Sequence, residues 1–270
     1  MIISDKYKFC FIHIPKCAGT SVRNVLQLFD DTQGKFTQYV GRHEALGMMD
    51  YVHIPLKILR EHFSDEYTKI KTFQSFTVLR DPFSRFPSSL SQRLKMYGDK
   101  PFKIMSKREI QRSIDEAINY LNNKGDLDIL AHDFIHFQKQ CTYVFDKGEK
   151  LIDNLYTPND LRFLFGDIEK LINKKLIGSL DFLKQPANSS KIYRSEFLKS
   201  CFSFFHPILS KPTNHILPES LKKRIEDYLC VPRDVKMKVM FDSDYIRSFI
   251  ENYYSEDIKL YYSVYDREAQ

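Results

Sequence analysis

The sequence contains no tryptophan, only five cysteines and no uninterrupted apolar run of about 18 residues, the length that a membrane-spanning helix requires. The cysteines lie far apart, without C-x-x-C spacing, at positions 10, 17, 141, 201 and 230. An odd, scattered set of this kind indicates neither a disulfide framework nor a zinc site. Because the first residues, MIISDKYK, carry no apolar stretch typical of a signal peptide, we expect a cytoplasmic protein without a membrane span.

Aromatic residues and a modest positive charge are what the chain has in excess. It contains 16 tyrosines and 22 phenylalanines, and 43% of its 270 residues are hydrophobic, so we expect a folded core and no intrinsic disorder. The net charge of +6 suits an anionic small molecule or an anionic polymer, but it identifies neither by itself. No repeat, low-complexity tract or linker divides the sequence, which predicts one domain over residues 1–270.

One stretch near the start combines features of a strand, a turn and a helix. Its sequence, Lys8–Val22, is KFCFIHIPKCAGTSV. The aromatic and β-branched residues predict a buried strand over Phe9–Ile14, and the proline and glycine predict a tight turn over Pro15–Gly19. Hydroxyl side chains then stand where a helix needs an N-cap, so we expect Thr20 and Ser21 to open a helix.

Such a junction can bind an anionic group. The first N–H groups of a helix have no intrahelical partner and carry partial positive charge. Gly19 permits close approach to the backbone, and Lys16 adds a full charge. The lysine precedes the only glycine, whereas a P-loop nucleoside triphosphatase has its lysine after the glycines, so this is a different kind of phosphate loop. Taken alone, the segment also fits an ordinary strand-turn-helix with a solvent-facing lysine.

A second strand-turn-helix unit follows. Phe73–Leu79 reads as a core strand, Arg80 and the Asp-Pro pair after it end that strand, and Phe83–Met96 predicts a helix with Pro87 inside it. Two such units with a helix between them predict an α/β fold, a P-loop-like three-layer domain with a central parallel sheet flanked by helices. Because ligands bind beyond the carboxyl ends of parallel strands, we expect Lys16 and Arg80 to converge on one crevice.

The rest of the chain carries weaker patterns. A capping box led by Ser106 with Glu109 predicts a helix. The further predicted helices are Ser106–Asn122, Leu127–Gln140 and Pro158–Asn173, and the further predicted strands are Thr142–Phe145 and Leu151–Tyr156.

Both junctions resemble motifs of one enzyme family. IPKCAGTS resembles the phosphosulfate loop, IPK-x-[AG]-GTS, of carbohydrate-type sulfotransferases, the sulfotransferase family 2 to which heparan and chondroitin sulfotransferases belong. The stretch Arg80–Ser88, RDPFSRFPS, resembles that family's R-[DN]-P-x-x-R-x-x-S motif. Two motifs in the right order, each at a strand-to-helix junction, make a chance match improbable.

The resemblance implies a substrate and a set of binding residues. The family uses 3′-phosphoadenosine 5′-phosphosulfate (PAPS) as donor, releases 3′-phosphoadenosine 5′-phosphate (PAP), and needs no metal. Arg80 and Ser88 are thereby implied to hold the 3′-phosphate, while Arg85 has a structural part. The residues implied to bind the 5′-phosphosulfate are those of the first loop: Lys16, Cys17, Ala18, Gly19, Thr20 and Ser21. A thiol beside a lysine and a helix N-terminus could also have a lowered pKa, although Cys17 fits better as a tolerated small side chain. Further on, the polar stretch 188–191 resembles a loop that closes over the donor in some relatives.

Sulfuryl transfer to a hydroxyl or amine requires a base and a group that stabilises the leaving phosphate, and the resemblance implies a carbohydrate acceptor. Lys16 is predicted to serve the leaving phosphate. For the base we favour His53, because family members have a histidine at the start of the helix before the second strand, and its pKa lies near neutrality. The alternative is His43 or Glu44.

Two other functions remain open at this stage. One is a kinase-like, nucleotide-dependent phosphotransferase, for which Asp81 is the obvious candidate Mg²⁺ ligand. The other is a non-catalytic domain that binds a nucleotide or a polysaccharide. We expect no nucleic-acid partner, and the sequence specifies neither the acceptor nor the oligomeric state.

Overall fold

The computed structural model describes residues 1–36, 40–100, 105–124, 129–176 and 240–265, and the backbone of two short strands at 191–193 and 230–232. The described strands are Ile2–Ser4 (β1), Phe9–Ile12 (β2), Gly41–His43 (β3), Gly47–Met49 (β4), Gln74–Val78 (β5), Phe145–Asp146 (β6), Glu149–Lys150 (β7), Asn154–Tyr156 (β8), Lys191–Tyr193 (β9) and Cys230–Pro232 (β10). The described helices are Gly19–Leu26 (α1), Leu56–His62 (α2), Ser64–Thr72 (α3), Pro82–Tyr97 (α4), Lys107–Lys124 (α5), Leu161–Ile172 (α6), Asp244–Tyr253 (α7) and Ser255–Tyr265 (α8).

A mostly parallel sheet lies at the centre of a mixed α/β fold and is flanked by helices. Its strand order is β1-β2-β5-β8. The pairs β2-β5 and β5-β8 are parallel, as predicted for the two strand-turn-helix units. Strand β1 pairs with β2 in the antiparallel direction, so the expected all-parallel sheet is wrong at this edge. The aligned ends of β2 and β5, where Ile12 pairs with Thr77, bring both predicted junctions to one side of the sheet.

Two apolar clusters form the described core. The first surrounds the sheet, with the side chains of Phe9, Phe11 and Phe76 fully buried, and it includes residues of α1, α2, α6 and α8. The second joins α4, α5 and α7. Its aromatic centre is Phe86, whose ring meets the rings of Phe137 and Phe249 at centroid distances of 5.4 and 5.5 Å. Burial of this apolar surface, which is the main driving force of folding, seats α4 against the C-terminal helices.

Local side chains stabilise two helix starts, of which the cap by Asp81 was not predicted from the sequence. Asp81 caps α4, since its carboxylate accepts hydrogen bonds from the backbone N–H groups of Phe83 and Ser84, and Pro82 occupies the first helical position. The capping box before α5 is confirmed: Glu109 N donates to Ser106 Oγ at 3.2 Å, and Ser106 N donates to Glu109 Oε2 at 2.7 Å.

Other predictions of local structure are wrong. The predicted helix Leu127–Gln140 is, over its described residues, a set of turns and a 3₁₀ helix at Ile135–Phe137, followed by a second one at Gln140–Tyr143. The second 3₁₀ helix includes Thr142 and Tyr143, the first residues of the predicted strand Thr142–Phe145. Apolar residues three positions apart fit an α-helix and a 3₁₀ helix alike, so this spacing could not distinguish the two at Leu127–Gln140.

Part of the predicted closing loop, positions 188–190, lies outside the described residues. Within the part of the chain that the structure describes, no helix has both the length and the apolar character needed to cross a membrane.

Candidate active site

The loop between β2 and α1 has an unusual backbone. Lys16 and Ala18 both have positive φ angles, of 64° and 62°, although neither is a glycine. Ala18 is the N-cap of α1 in the left-handed conformation. Backbone strain of this kind concentrates at binding and catalytic sites, and alternating helical handedness points successive N–H groups into an anion-binding concavity. The loop therefore has the backbone form that the sequence suggested.

The start of α1 differs from the prediction. No side chain caps this helix, and Thr20 and Ser21 lie within its first turn, so the expected hydroxyl N-cap is wrong. The N–H of Ser21 donates to the carbonyl of Ala18 at 3.1 Å. Ala18, in the left-handed conformation, ends the loop without a side-chain cap. The hydroxyl groups of Thr20 and Ser21 therefore do not cap the helix and are available to a different hydrogen-bond acceptor.

Gly19 is required at its position by a neighbour. A Cβ atom there would overlap the imidazole ring of His13, the residue that directly follows β2. The glycine thus lets α1 begin in contact with the histidine ring.

At the second junction, Arg80 is held by its neighbours on both sides. Its Nε atom donates to Ser84 Oγ at 3.0 Å, and its NH1 atom donates to the backbone carbonyl of Lys16 at 3.3 Å. The two motifs, 64 residues apart in sequence, are therefore in direct contact.

One face of α4 contacts both cationic side chains, Lys16 and Arg80. Ser84, Ser88 and Gln92 recur every four residues and so share that face. Ser84 contacts Arg80, and Gln92 accepts a hydrogen bond from Lys16 Nζ at 3.0 Å. Ser84 and Gln92 are about 12 Å apart along a helix that rises 1.5 Å per residue, with the half-buried Ser88 between them. The two cationic side chains thus meet the same helix face at separate points, as two ends of one anionic ligand require.

The side chain of Gln140 forms hydrogen bonds with residues of both junctions. Its side-chain amide accepts from Arg80 N and donates to Arg80 O, both at 2.9 Å. The thiol of Cys17 donates to the same amide oxygen at 3.2 Å. Burial raises the pKa of Cys17 to about 12, so the suggestion of a lowered thiol pKa is wrong and Cys17 acts as a protonated hydrogen-bond donor.

Three histidines and one aspartate form a buried cluster behind the first loop. The ring of His53 lies 4.5 Å from that of His13 and 5.6 Å from that of His136 between centroids. Asp50, His53 and His136 each place a side-chain ligand atom within 4.8 Å of the other two. His53 does not start a helix as predicted, because α2 begins three residues later at Leu56 with Pro55 as its N-cap.

Hydrogen bonding determines which nitrogen of His53 carries the proton. Its Nδ1 atom lies 2.9 Å from the carbonyl oxygen of His13. A carbonyl only accepts, so Nδ1 donates, and in the neutral ring Nε2 carries the lone pair. The imidazole of His53 thus has one nitrogen able to accept a proton.

Burial keeps the histidines of the cluster neutral. It lowers the pKa of His13 and of His53 well below 6.5, with neighbouring histidines adding to the effect. The pKa of His136 falls to about 3 through burial and the positive charges of Lys16 and Arg85. Burial raises the pKa of Asp50 to about 7, against the hydrogen bonds that its carboxylate accepts from the backbone.

A carboxylate with two imidazoles is also a ligand set that divalent cations use. The charges of Lys16 and Arg85, close enough to lower the pKa of His136, oppose a further cation there. The charges of Lys16 and Arg85 thus disfavour additional positive charge in the cluster, whether a proton on His136 or a cation.

The alternative base candidates lie in a different environment. His43 is in the β3-β4 hairpin, and its ring packs against His62 and Phe63 at 5.1 and 5.5 Å between centroids. Glu44, the next residue, is exposed in the turn of that hairpin. None of the described contacts of His43 is with the loop between β2 and α1.

Arg85 has the structural part that was expected of it. Its guanidinium is buried, pairs with Asp257 of α8 at 3.4 Å and lies over the ring of Tyr254 at 5.1 Å. It also donates to the carbonyl of His136 at 3.2 Å, as does Ser89 Oγ at 2.6 Å. Arg85 and Ser89, one turn apart on α4, thereby fix the backbone of His136.

Sequence reasoning missed five residues of this site. Gln92 had a signal, since it continues the four-residue spacing of Ser84 and Ser88. His13 lies beside the loop in sequence, but its contact with Gly19 depends on how α1 packs. Asp50, His136 and Gln140 had no signal, because they reach the site through contacts between segments far apart in sequence.

A comparison with family models finds one match, to the sulfotransferase family, over residues 1–149. The match covers both junctions, the histidine cluster and Gln140. No curated protein and no solved structure matches the chain.

Proposed function

The chain belongs to the sulfotransferase family, and on this basis we propose that it transfers the sulfuryl group of PAPS to a hydroxyl or amine of a carbohydrate acceptor. The observation that carries the proposal is the meeting of Lys16 and Arg80 beside one face of α4. A bisphosphorylated nucleotide has an anionic group at each end, and two separated cations on a shared surface suit such a ligand.

The first junction is proposed to bind the reacting end of the donor. Lys16, the N–H groups of the loop and the hydroxyls of Thr20 and Ser21 would hold the 5′-phosphosulfate. As the bond from sulfur to the acceptor atom forms and the bond from sulfur to the phosphate oxygen breaks, Lys16 stabilises the negative charge that the departing phosphate gains. Cys17, Ala18 and Gly19 contribute backbone to this loop.

The second junction is proposed to bind the 3′-phosphate. The planar guanidinium of Arg80 offers two donors in a fork that matches phosphate, and Ser88 lies on the α4 face that the fork contacts. The P-loop-like three-layer organisation of the fold is part of the same proposal, because it would present both junctions at one edge of the sheet.

His53 is proposed as the base. Its Nδ1–H is held by the carbonyl of His13, so Nε2 is the atom that takes the proton from the acceptor. Asp50, whose pKa is raised to about 7, has a carboxylate oxygen within 4.8 Å of a ring nitrogen of His53 and is proposed to receive the proton after it. No step of the proposed reaction uses a metal ion, and a cytoplasmic location remains part of the proposal.

A kinase-like function is disfavoured by a specific contact. Its Mg²⁺ ligand would be Asp81, whose carboxylate oxygens instead accept from the N–H groups of Phe83 and Ser84 at 3.2 Å each. A carboxylate engaged in capping α4 is not available to a metal.

Calorimetry with PAP, and separately with ATP and Mg²⁺, tests the donor. We expect binding of PAP that Arg80→Lys weakens, because lysine lacks the fork, and no comparable binding of ATP. Arg247→Lys, at an exposed arginine paired with Asp242, is the control. Tighter binding of ATP than of PAP would overturn the proposal. Transfer of labelled sulfate from PAPS to a panel of glycans tests the acceptor, and PAP binding without any transfer would favour a non-catalytic domain.

A further inference from the structure

The sheet itself does not hold the two anion-binding junctions together. The ladder between β2 and β5 ends at the pair Ile12 and Thr77, reinforced by a hydrogen bond of 2.8 Å from Thr77 Oγ1 to Ile12 O. Beyond this pair β2 ends, whereas β5 continues to Val78 beside β8, so the two segments no longer pair with each other as they lead to α1 and to α4. Their separation must then be determined by side chains.

Gln140 makes the contacts that replace the ladder. Its amide forms two hydrogen bonds with the backbone of Arg80, in the way a neighbouring strand would. It also accepts from Cys17 Sγ in the other junction. The side chain is buried, with 1% of its surface exposed, so each of these bonds is made away from water, where an unmade bond is costly.

The position of Gln140 is in turn fixed by the C-terminal helix α8. The carboxylate of Asp257 accepts from Gln140 N and from Cys141 N, both at 2.8 Å. The same carboxylate pairs with Arg85 of α4. Asp257 lies beyond residues 1–149, the segment that matches the family. It thus fixes the position of Gln140, which contacts both junctions.

We propose that Gln140 is a positioning residue that sets the distance between the Lys16 loop and Arg80, and so determines the affinity for a nucleotide with phosphates at both ends. The inference rests on the proposed function for the identity of that nucleotide. The positioning itself rests only on the contacts of the side chain.

The chain offers a matched control for this proposal. Gln138 is also buried, with 2% of its surface exposed, and its amide makes two described hydrogen bonds, accepting from Leu130 N at 2.9 Å and donating to Thr142 Oγ1 at 3.4 Å. Neither contact involves a junction. Gln138→Met and Gln140→Met each remove a buried amide while keeping most of the side-chain volume, so a general loss of stability should affect both.

Two measurements on the full chain test the proposal. The first is PAP affinity by calorimetry, where we expect Gln140→Met to weaken binding at least about tenfold, the scale of a small misplacement of binding groups, and Gln138→Met to leave it unchanged. The second is amide hydrogen exchange of the peptide containing Arg80, whose N–H bonds to Gln140 Oε1. Exchange there should accelerate in Gln140→Met and not in Gln138→Met.

The two readouts separate the possible failures. Wild-type PAP affinity in Gln140→Met, or equal losses in both variants, would overturn the positioning role. If the wild-type protein binds no PAP, the proposed donor is wrong, and the exchange measurement alone then decides whether Gln140 holds the junction: unchanged exchange in Gln140→Met refutes it, and accelerated exchange confined to this variant supports it.

Discussion

The guanidinium of Arg80 donates a hydrogen bond to the backbone carbonyl of Lys16, with 3.3 Å between the nitrogen and the oxygen. This contact brings together two motifs that lie in different strand-turn-helix units. Had the two residues been on opposite sides of the sheet, no single nucleotide could have reached both. Their contact places both motifs at one edge of the sheet, as the proposed binding of a single donor requires.

Replacing the lysine of the first loop should impair the reaction and spare the fold. Lys16 is half-buried and contacts Gln92, so its loss removes little packing. We expect Lys16→Ala to lower kcat about 10²- to 10³-fold, as loss of one group that stabilises transition-state charge does elsewhere, with an almost unchanged Tm. Lys57→Ala, at a half-buried lysine near Glu61, is the control. Parallel losses of Tm and kcat would assign Lys16 to structure.

Removing the proposed base should separate binding from transfer. His53→Ala is expected to leave PAP affinity intact and to lower kcat about 10²- to 10⁴-fold, the range attributed to a general base. Because burial holds the pKa of His53 well below 6.5, the ring is neutral through the physiological range, and the acid limb of the wild-type pH-rate profile should lie below pH 6.5.

The alternative base supplies the comparison. His43→Ala alters a residue that packs against His62 and Phe63, and we expect it to retain transfer activity. Loss of transfer in His43→Ala together with its retention in His53→Ala would move the base to the hairpin.

A methyl group at the start of α1 should disturb the first loop. Gly19→Ala places a Cβ against the ring of His13, and overpacking of this kind costs about 1–3 kcal/mol. Adding His13→Ala should recover part of the stability, which a double-mutant cycle measures as a coupling energy. Gly166→Ala, within α6 with no atom near the new Cβ, should be neutral or stabilising by up to about 1 kcal/mol. Additive effects of the Gly19 and His13 changes would show that the two residues do not contact each other.

The neutral histidines should make the fold sensitive to acid. The pKa of His136 is about 3 in the folded protein and 6.5 without burial, so the unfolded chain binds the extra proton first as pH falls. Its contribution to stability is complete above pH 6.5 and is lost between pH 6.5 and about 3. His13 and His53 act in the same direction, whereas Asp50, with its pKa raised to about 7, favours the folded state as pH falls through 7.

We therefore expect the Tm of His136→Gln to decline less steeply than that of the wild-type protein between pH 6.5 and 4. Lys16 and Arg85, the charges that face His136, remain ionised throughout this range and do not alter the comparison. His132→Gln, whose ring contacts Tyr97, is the control and should keep the wild-type slope. Identical slopes in all three proteins would mean that protonation of His136 does not limit acid stability.

The ion pair between α4 and α8 should matter to the fold more than any exposed pair. Arg85 and Asp257 are both buried, and removing one partner leaves the other as an uncompensated charge. Asp257→Ala is expected to cost about 3–5 kcal/mol in the free energy of unfolding, measured by denaturant titration. Glu251→Ala changes an exposed acid on α7 and should cost almost nothing. A small effect of Asp257→Ala would mean that water reaches the guanidinium of Arg85.

The parallel pairing of β2 with β5 followed from the general rule for consecutive strand-turn-helix units. Local sequence was sufficient for both motif junctions and for the capping box of α5. Each of these depends on neighbouring residues, because strands, turns and helix caps are determined by backbone sterics and by hydrogen bonds over a few positions. The sulfotransferase family membership followed from the same short motifs. Gln92 could also be placed from the sequence, because it continues the four-residue spacing of Ser84 and Ser88 on α4.

Tertiary structure alone decided what surrounds those motifs. His13 is next to the loop in sequence, yet its contact with Gly19 required α1 to fold back on it. His136 and Gln140 reach the site from a segment whose pattern suggested an α-helix, and Asp257 from a helix more than 100 residues further on. Burial, not residue type, then raised the pKa of Cys17 and lowered that of His53. Desolvation and long-range contact depend on how the whole chain packs, which no local pattern encodes.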